Sequence, residues 1–310
     1  MFVYILKRLA QGILTVWFIA TATFIAMHAV PGDPLAGERL PNEEIRENLR
    51  VRYGLDRPVV EQYWIFLSSM ARGDFGISFT QQNRRVNDII REHFPVSATL
   101  GILAIAFATF GGVLWGALTA LYRNRLPDIV IMFLVILGIS VPSFVIAALS
   151  QLVLVSLNSA LGFSLLPVAG WGTIWHMLVP SIVLGLTTMA YLTRLMRSSM
   201  LEITSSDFVR TARAKGLPPT QIFLKHQLRN AILPVVTVLG PQIALIVTGG
   251  FVVELVFAIP GLGRYFVDAV QQLDYTVIMG TTVFYGAFLV FMVILVDIIY
   301  GFIDPRVSLK

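Results

Sequence analysis

Long apolar runs alternate with short polar ones along most of the chain. A helix rises about 1.5 Å per residue and the hydrocarbon layer is about 30 Å thick, so a crossing needs about 20 mostly apolar residues. Six stretches qualify: Leu9–Ala29, Ala98–Tyr122, Ile129–Leu157, Met177–Leu195, Ile232–Phe257 and Val277–Tyr300. The pattern predicts an all-α membrane protein with six transmembrane helices. The first run follows Lys7 and Arg8. It is longer than the roughly 7–15 apolar residues of a cleaved leader, so it reads as a retained anchor.

Two segments break the apolar rhythm. Residues 30–95 are mixed in charge, and "PNEEIRENLRVRYGL" places Ile45, Leu49 and Arg52/Tyr53 on one helical face. "VVEQYWIFLSSMARGDFG" predicts a second helix. Together they read as a small helical outer-face domain, a cap over the spans and a docking surface for an external partner. The second segment is "DFVRTARAKGLPPTQIFLKHQLRNAILP", Asp207 to Pro234. Ser205 or Ser206 suits an N-cap, and Gly216 suits the left-handed residue after a helix end. Pro218 and Pro219 then start a second helix reaching about Asn230, with Ile222, Phe223 and Leu228 available for packing. Arg210, Arg213 and Lys215 come without a strong apolar face, and the glycine break interrupts any continuous amphipathic helix. A protein partner therefore suits this basic knob better than a lipid surface.

Charge gives the orientation, because short cytoplasmic loops collect Lys and Arg. Lys7 and Arg8 precede the first span, and Arg123 and Arg125 follow the second. Arg197, Arg210, Arg213, Lys215, Lys225 and Arg229 follow the fourth, and Arg306 and Lys310 follow the sixth. Residues 158–176 hold no Lys or Arg, and 258–276 only Arg264. Both termini are expected inside, with 30–95 outside, since long loops translocate largely regardless of charge. Composition agrees: 56% of residues are hydrophobic and 13% charged, against about 25% charged in soluble domains. The absence of cysteine excludes disulfides and thiolate metal sites.

Reactive clusters are missing from the sequence. His28, His93, His176 and His226 are dispersed, and there is no HExxH, no G-x-S-x-G and no phosphate-binding G-x-x-x-x-G-K-[ST] loop. A membrane enzyme would need such a cluster. A stand-alone ion-coupled transporter would need midplane ion ligands and inverted repeats. The ionisable span residues, Glu254 near the outer end of the fifth run and Asp297 near the inner end of the sixth, read as solvated or paired helix ends. Helix-breaking residues are more frequent: "GISVPSF" (Gly138–Phe144), Pro234, Gly240–Pro241 and Gly249–Gly250. They suggest helices that bend around a pathway, with Ser140, Pro142, Gly240, Pro241, Gly249 and Glu254 as candidate pathway residues.

"RTARAKG" followed by "HQLRNAILP" resembles the cytoplasmic EAA loop of ATP-binding-cassette importer permeases. That pattern is Glu-Ala-Ala, three residues, then Gly. Ala212 and Gly216 match it, while Arg210 and Thr211 replace the Glu and the first Ala, and Arg229 stands in place of a Pro. The departures follow the oligopeptide/dipeptide/nickel branch. "HAVPGDPLAGE", "GDFGISF", "FPVSATLG", "RSSMLEI", "ELVFAIPGLGRYFVDAV" and "DPRV" resemble that branch in the same order. The whole chain looks most like the first, B-type permease subunit of a peptide importer. The resemblance implies a type I importer permease fold in a bacterial plasma membrane. It implies a second, C-type permease subunit, two ATPase subunits that bind ATP and Mg, and an external peptide-binding protein. This chain itself would hold no cofactor, no metal and no nucleic acid. Residues 1–29 would be an anchor, 30–95 the outer segment, 96–302 the permease core with coupling loop 197–231, and 303–310 a cytoplasmic tail. Val209, Arg210, Thr211, Ala212, Arg213, Ala214, Lys215, Gly216 and Leu217 would meet an ATPase. Nickel and glutathione permeases share the branch and remain alternatives for the substrate.

Overall fold

A computed structural model describes residues 2–30, 47, 50–51, 54–81 and 83–303. Most of the amphipathic helix expected over 41–55, including Ile45, Leu49, Arg52 and Tyr53, lies outside the described residues. So do most of "HAVPGDPLAGE" and the tail carrying Arg306 and Lys310; the side chain of Asp297 is likewise undescribed.

In chain order the helices are α1 (Phe2–Ala29), α2 (Val59–Ala71), α3 (Val86–Leu121), α4 (Leu126–Ser140), α5 (Ser143–Leu161), α6 (Ile174–Thr204) and α7 (Asp207–Ala214). A helical run α8 over 219–231 follows. It consists of Pro219–Gln221, a π-helical stretch Ile222–Leu228, and Arg229–Ala231. Then come α9 (Leu233–Gly249), α10 (Phe251–Val256), α11 (Leu262–Gln272) and α12 (Tyr275–Ile303). Among the described residues the only β pairing noted is an isolated bridge between Ile77 and Arg85. Among the described residues, six helical segments are long and apolar enough to cross a membrane.

The chain divides into two compact units, 1–96 with 260–294, and 97–259 with 295–310. In the first unit α2 lies on α1. The Phe24 ring meets Tyr63 edge-on at 5.3 Å, and the Thr21 and Tyr63 hydroxyls are 2.8 Å apart. Asp274 is 1% exposed and caps α12, its Oδ1 accepting the Val277 N–H at 3.2 Å. The same carboxylate accepts the Phe79 and Thr80 amides at 3.1 and 3.2 Å, as well as the Ser78 and Thr80 hydroxyls. A buried charge is tolerable when its lone pairs are this fully met.

In the second unit small residues bring helices close. A Cβ on Gly116 would stand 2.5 Å from the Met196 Cβ and 2.7 Å from the Thr193 carbonyl oxygen of α6. Only glycine permits this approach. Beside it, Ala117, Leu192, Met196, Met200, Ala231 and Val235 form a buried cluster.

The helices differ from the expected runs in several places; α3, for one, starts at Val86, inside the segment 30–95 assigned to the outer face. The third run is two helices, because Pro142 has no N–H to continue α4 and forces Val141 into extended backbone (φ −90°, ψ 125°). The fourth run continues to Thr204, since Leu192, Met196 and Met200 carry its buried stripe inward. Residues 197–204 are therefore helix rather than loop. The fifth run stays helical through Gly240–Pro241 and is interrupted at Gly250, within the Gly249–Gly250 pair that the sequence also marked as helix-breaking. Gly240 serves close packing: a Cβ there would overlap the Val296 side chain. The outer loop 258–276 contains α11, whose start at Leu262 follows the extended Gly261.

Candidate coupling surface

The island is a helix–glycine–helix. Ser206 takes the N-cap position of α7, but its hydroxyl donates 2.6 Å to the Ile203 carbonyl instead of accepting from the helix. Asp207 opens the first turn, where negative charge suits the helix dipole. Gly216 has φ +74° with nothing within 4 Å of a Cβ position. Its N–H donates to the Arg213 carbonyl at 2.9 Å and the Leu217 N–H to that of Ala212 at 3.3 Å, closing the helix end. α8 then returns beneath α7.

Burial sorts the expected contact residues into two sets. Arg210, Thr211, Arg213, Ala214, Lys215 and Gly216 are exposed, and Leu217 is half-buried. Val209 and Ala212, expected among the outward contacts, face inward instead: they are 0% and 4% exposed and pack on Ile222 of α8. The reason is the helical period. Residues three apart share a face, and α8 covers that face, leaving the basic one outward. Below it, the buried Gln227 donates from Nε2 to the Thr204 hydroxyl at 3.2 Å, and the Thr204 hydroxyl donates to the Met200 carbonyl at 2.7 Å. The π stretch, absent from the sequence reading, widens the helix where Ile222 and Gln227 face the core.

A second polar contact joins the end of α6 to α4. Arg197 donates from Nε to Asp128 Oδ1 at 2.9 Å and from its terminal nitrogen to Oδ2 at 2.8 Å. The Asn124 amide donates to the same Oδ2 at 2.9 Å. The sequence marked Arg197 only as one of the cytoplasmic basic residues and did not single out Asp128; nothing in the spacing pairs them.

The candidate pathway residues differ in their surroundings. Ser140 and Pro142 are exposed at the break between α4 and α5. Beside them an apolar groove of about 620 Å³ is lined by Gly138, Val141, Leu154, Leu186 and Met189, among others. Gly240 is buried, Pro241 is exposed, and the surroundings of Gly249 are undescribed. Glu254 is not a solvated helix end: it is 2% exposed, with Oε1 3.5 Å from where a Cβ on Gly250 would stand. The structure adds a polar pair inside the apolar layer, Thr188 of α6 donating to the Gln242 side-chain oxygen of α9 at 3.2 Å. On α6 the Ser181 hydroxyl is buried with no hydrogen-bond partner among the described residues. Gln242 was legible as a polar residue within an apolar run; Thr188 and Ser181 carry no such signal.

Two family descriptions cover the chain. "Binding-protein-dependent transport system inner membrane component" matches residues 112–309, and the N-terminal component of the same systems matches 1–101. The chain belongs to this family. The permease is 45% identical over 306 residues to the dipeptide transport system permease protein DppB of Bacillus subtilis, covering 99% of this chain and 98% of that one. It is 42% identical to the DppB of Lactococcus lactis, covering 99% of each chain. It is 38% identical to the oligopeptide transport system permease protein OppB of Escherichia coli, covering 98% of each. Among solved structures, an amino acid ABC transporter crystallised with histidines aligns with a TM-score of 0.52 at 15% identity, over 69% of this chain and 93% of that one. The MetNI methionine ABC transporter aligns with a TM-score of 0.51 at 16% identity, over 69% and 94%. The permease thus has the ABC importer permease fold and is a multi-pass protein of the bacterial plasma membrane.

Proposed function

We propose that the permease is the B-type membrane subunit of an ATP-driven importer of dipeptides or oligopeptides. The observation that carries this reading is end-to-end similarity to dipeptide and oligopeptide permeases, at 38–45% identity in the relatives above. In this reading the chain forms half of a translocation pathway with a C-type permease subunit. Two cytoplasmic ATPases hold ATP and Mg, and an external binding protein delivers the peptide. The outward row of Arg210, Thr211, Arg213, Ala214 and Lys215 enters a groove on one ATPase. Gly216 sets the corner that lets α8 support α7 from behind. ATPase closure pushes on α7, and because α8 is packed against α6 the push reaches the spans.

The test is uptake of a labelled tripeptide or tetrapeptide by cells lacking redundant importers, with and without this gene. Deletion should abolish uptake and the gene should restore it. Gly216→Pro should not restore it, since proline holds φ near about −65° and the turn needs a positive value. Undiminished peptide uptake, with loss of nickel or glutathione uptake, would overturn the substrate and keep the architecture.

A further inference from the structure

The island and the break in the third run are joined by a continuous series of contacts. Val209 and Ala212 of α7 rest on Ile222 of α8. Gln227 ties α8 to Thr204, and Ala231 and Val235 pack with Met196 and Met200 of α6. One turn from Met200, Arg197 grips Asp128 in the first turn of α4. α4 then runs to Ser140 and the Val141–Pro142 break beside the apolar groove.

Most links in this series are apolar, and apolar contacts permit small sliding movements of one helix along another. The link between α6 and α4 is of a different kind. Farther along, α4 packs on α6 through apolar contacts, a Cβ on Gly138 standing 3.8 Å from that of Ala190. At its near end the guanidinium binds the carboxylate with two parallel hydrogen bonds, which fixes angle as well as distance. Asp128 is itself held by the Asn124 amide, and its side chain is 5% exposed against 25% for Arg197. Such a pair resists the shear that an apolar contact allows.

We infer that Asp128 and Arg197 are positioning residues that transmit displacement of the coupling loop to α4, and so set the opening at the Val141–Pro142 break. The inference rests on the coupling role proposed above. Without the pair, α6 follows the loop and slides past α4, the ATPases continue to turn over, and the break stays in one state.

The experiment uses the complete transporter reconstituted in lipid, with single cysteines introduced into the cysteine-free chain for spectroscopic labels. Thr220→Cys reports on the loop and Ile139→Cys on the end of α4; both positions are exposed. In the otherwise unaltered protein both labels should respond to ATP. Asp128→Asn and Arg197→Lys should keep the Thr220 response, lose the Ile139 response, and lower peptide transported per ATP hydrolysed by about tenfold. The charge swap D128R/R197D should recover part of both, which a general loss of folding would not. An Ile139 response and a transport-to-hydrolysis ratio that survive Asp128→Asn would overturn the inference. So would failure of Asp128→Asn to assemble together with normal coupling in Arg197→Lys. Absence of any Thr220 response in the unaltered complex would instead sink the coupling reading, and the inference with it.

Discussion

Asp274 shows what one side chain can hold together. Its carboxylate caps α12 and gathers the 78–80 turn through amide and hydroxyl donors. Removing it leaves those donors buried and unmatched, so Asp274→Ala should destabilise the protein by about 3 kcal/mol. Asp274→Asn should fall between the two, because its amide keeps one acceptor but presents N–H toward the Thr80 amide. Thermal unfolding of the detergent-solubilised chain checks the order; equal transitions for all three would contradict this account of the cap. Gly216 is the opposite case, a residue whose value lies in what it lacks. With nothing near its Cβ position, the penalty for any replacement is backbone strain alone.

Between elements, spacing decides which substitutions matter. Gly116 and Gly138 look alike in the sequence, each a glycine in an apolar helix. The structure separates them. Gly116→Ala would drive a methyl into the Thr193 carbonyl and the Met196 side chain, and backbone cannot yield as a flexible side chain can. Overpacking of this kind costs about 1–3 kcal/mol. Gly138→Ala meets nothing closer than 3.8 Å and should be tolerated. The yield of monodisperse protein and its apparent Tm should fall for the first and hold for the second. The helix–glycine–helix of the island was readable because capping chemistry is local: Gly216 and the paired prolines act on their own backbone. The bend near Pro142 was readable for the same reason, though not its division of the run into two helices. The inward turn of Val209 and Ala212 was not, because it depends on α8 folding back beneath them.

At the scale of the whole molecule the orientation is directly testable, and the absence of native cysteine makes the test clean. Ser164→Cys, in the connection between α5 and α6, should react with a membrane-impermeant maleimide in intact cells. Thr220→Cys in the island should react only after permeabilisation. Labelling of both positions in intact cells would contradict the assignment of the basic loops to the cytoplasm. That assignment was available from the sequence because insertion responds to apolar length and to the side on which Lys and Arg accumulate, and both are sums over neighbouring residues.

The sequence by itself therefore determined the six apolar runs, the charge bias of the loops between them, the corner at Gly216 and, through motifs in order, the family. The tertiary structure alone decided that α6 carries its buried stripe to Thr204, that Glu254 is enclosed, and that Arg197 reaches Asp128 from 69 positions away. The division has a physical cause. Hydropathy, charge bias and backbone turns are fixed by a residue and its near neighbours, whereas burial and ion pairing belong to two residues at once and exist only when the fold brings the second one near.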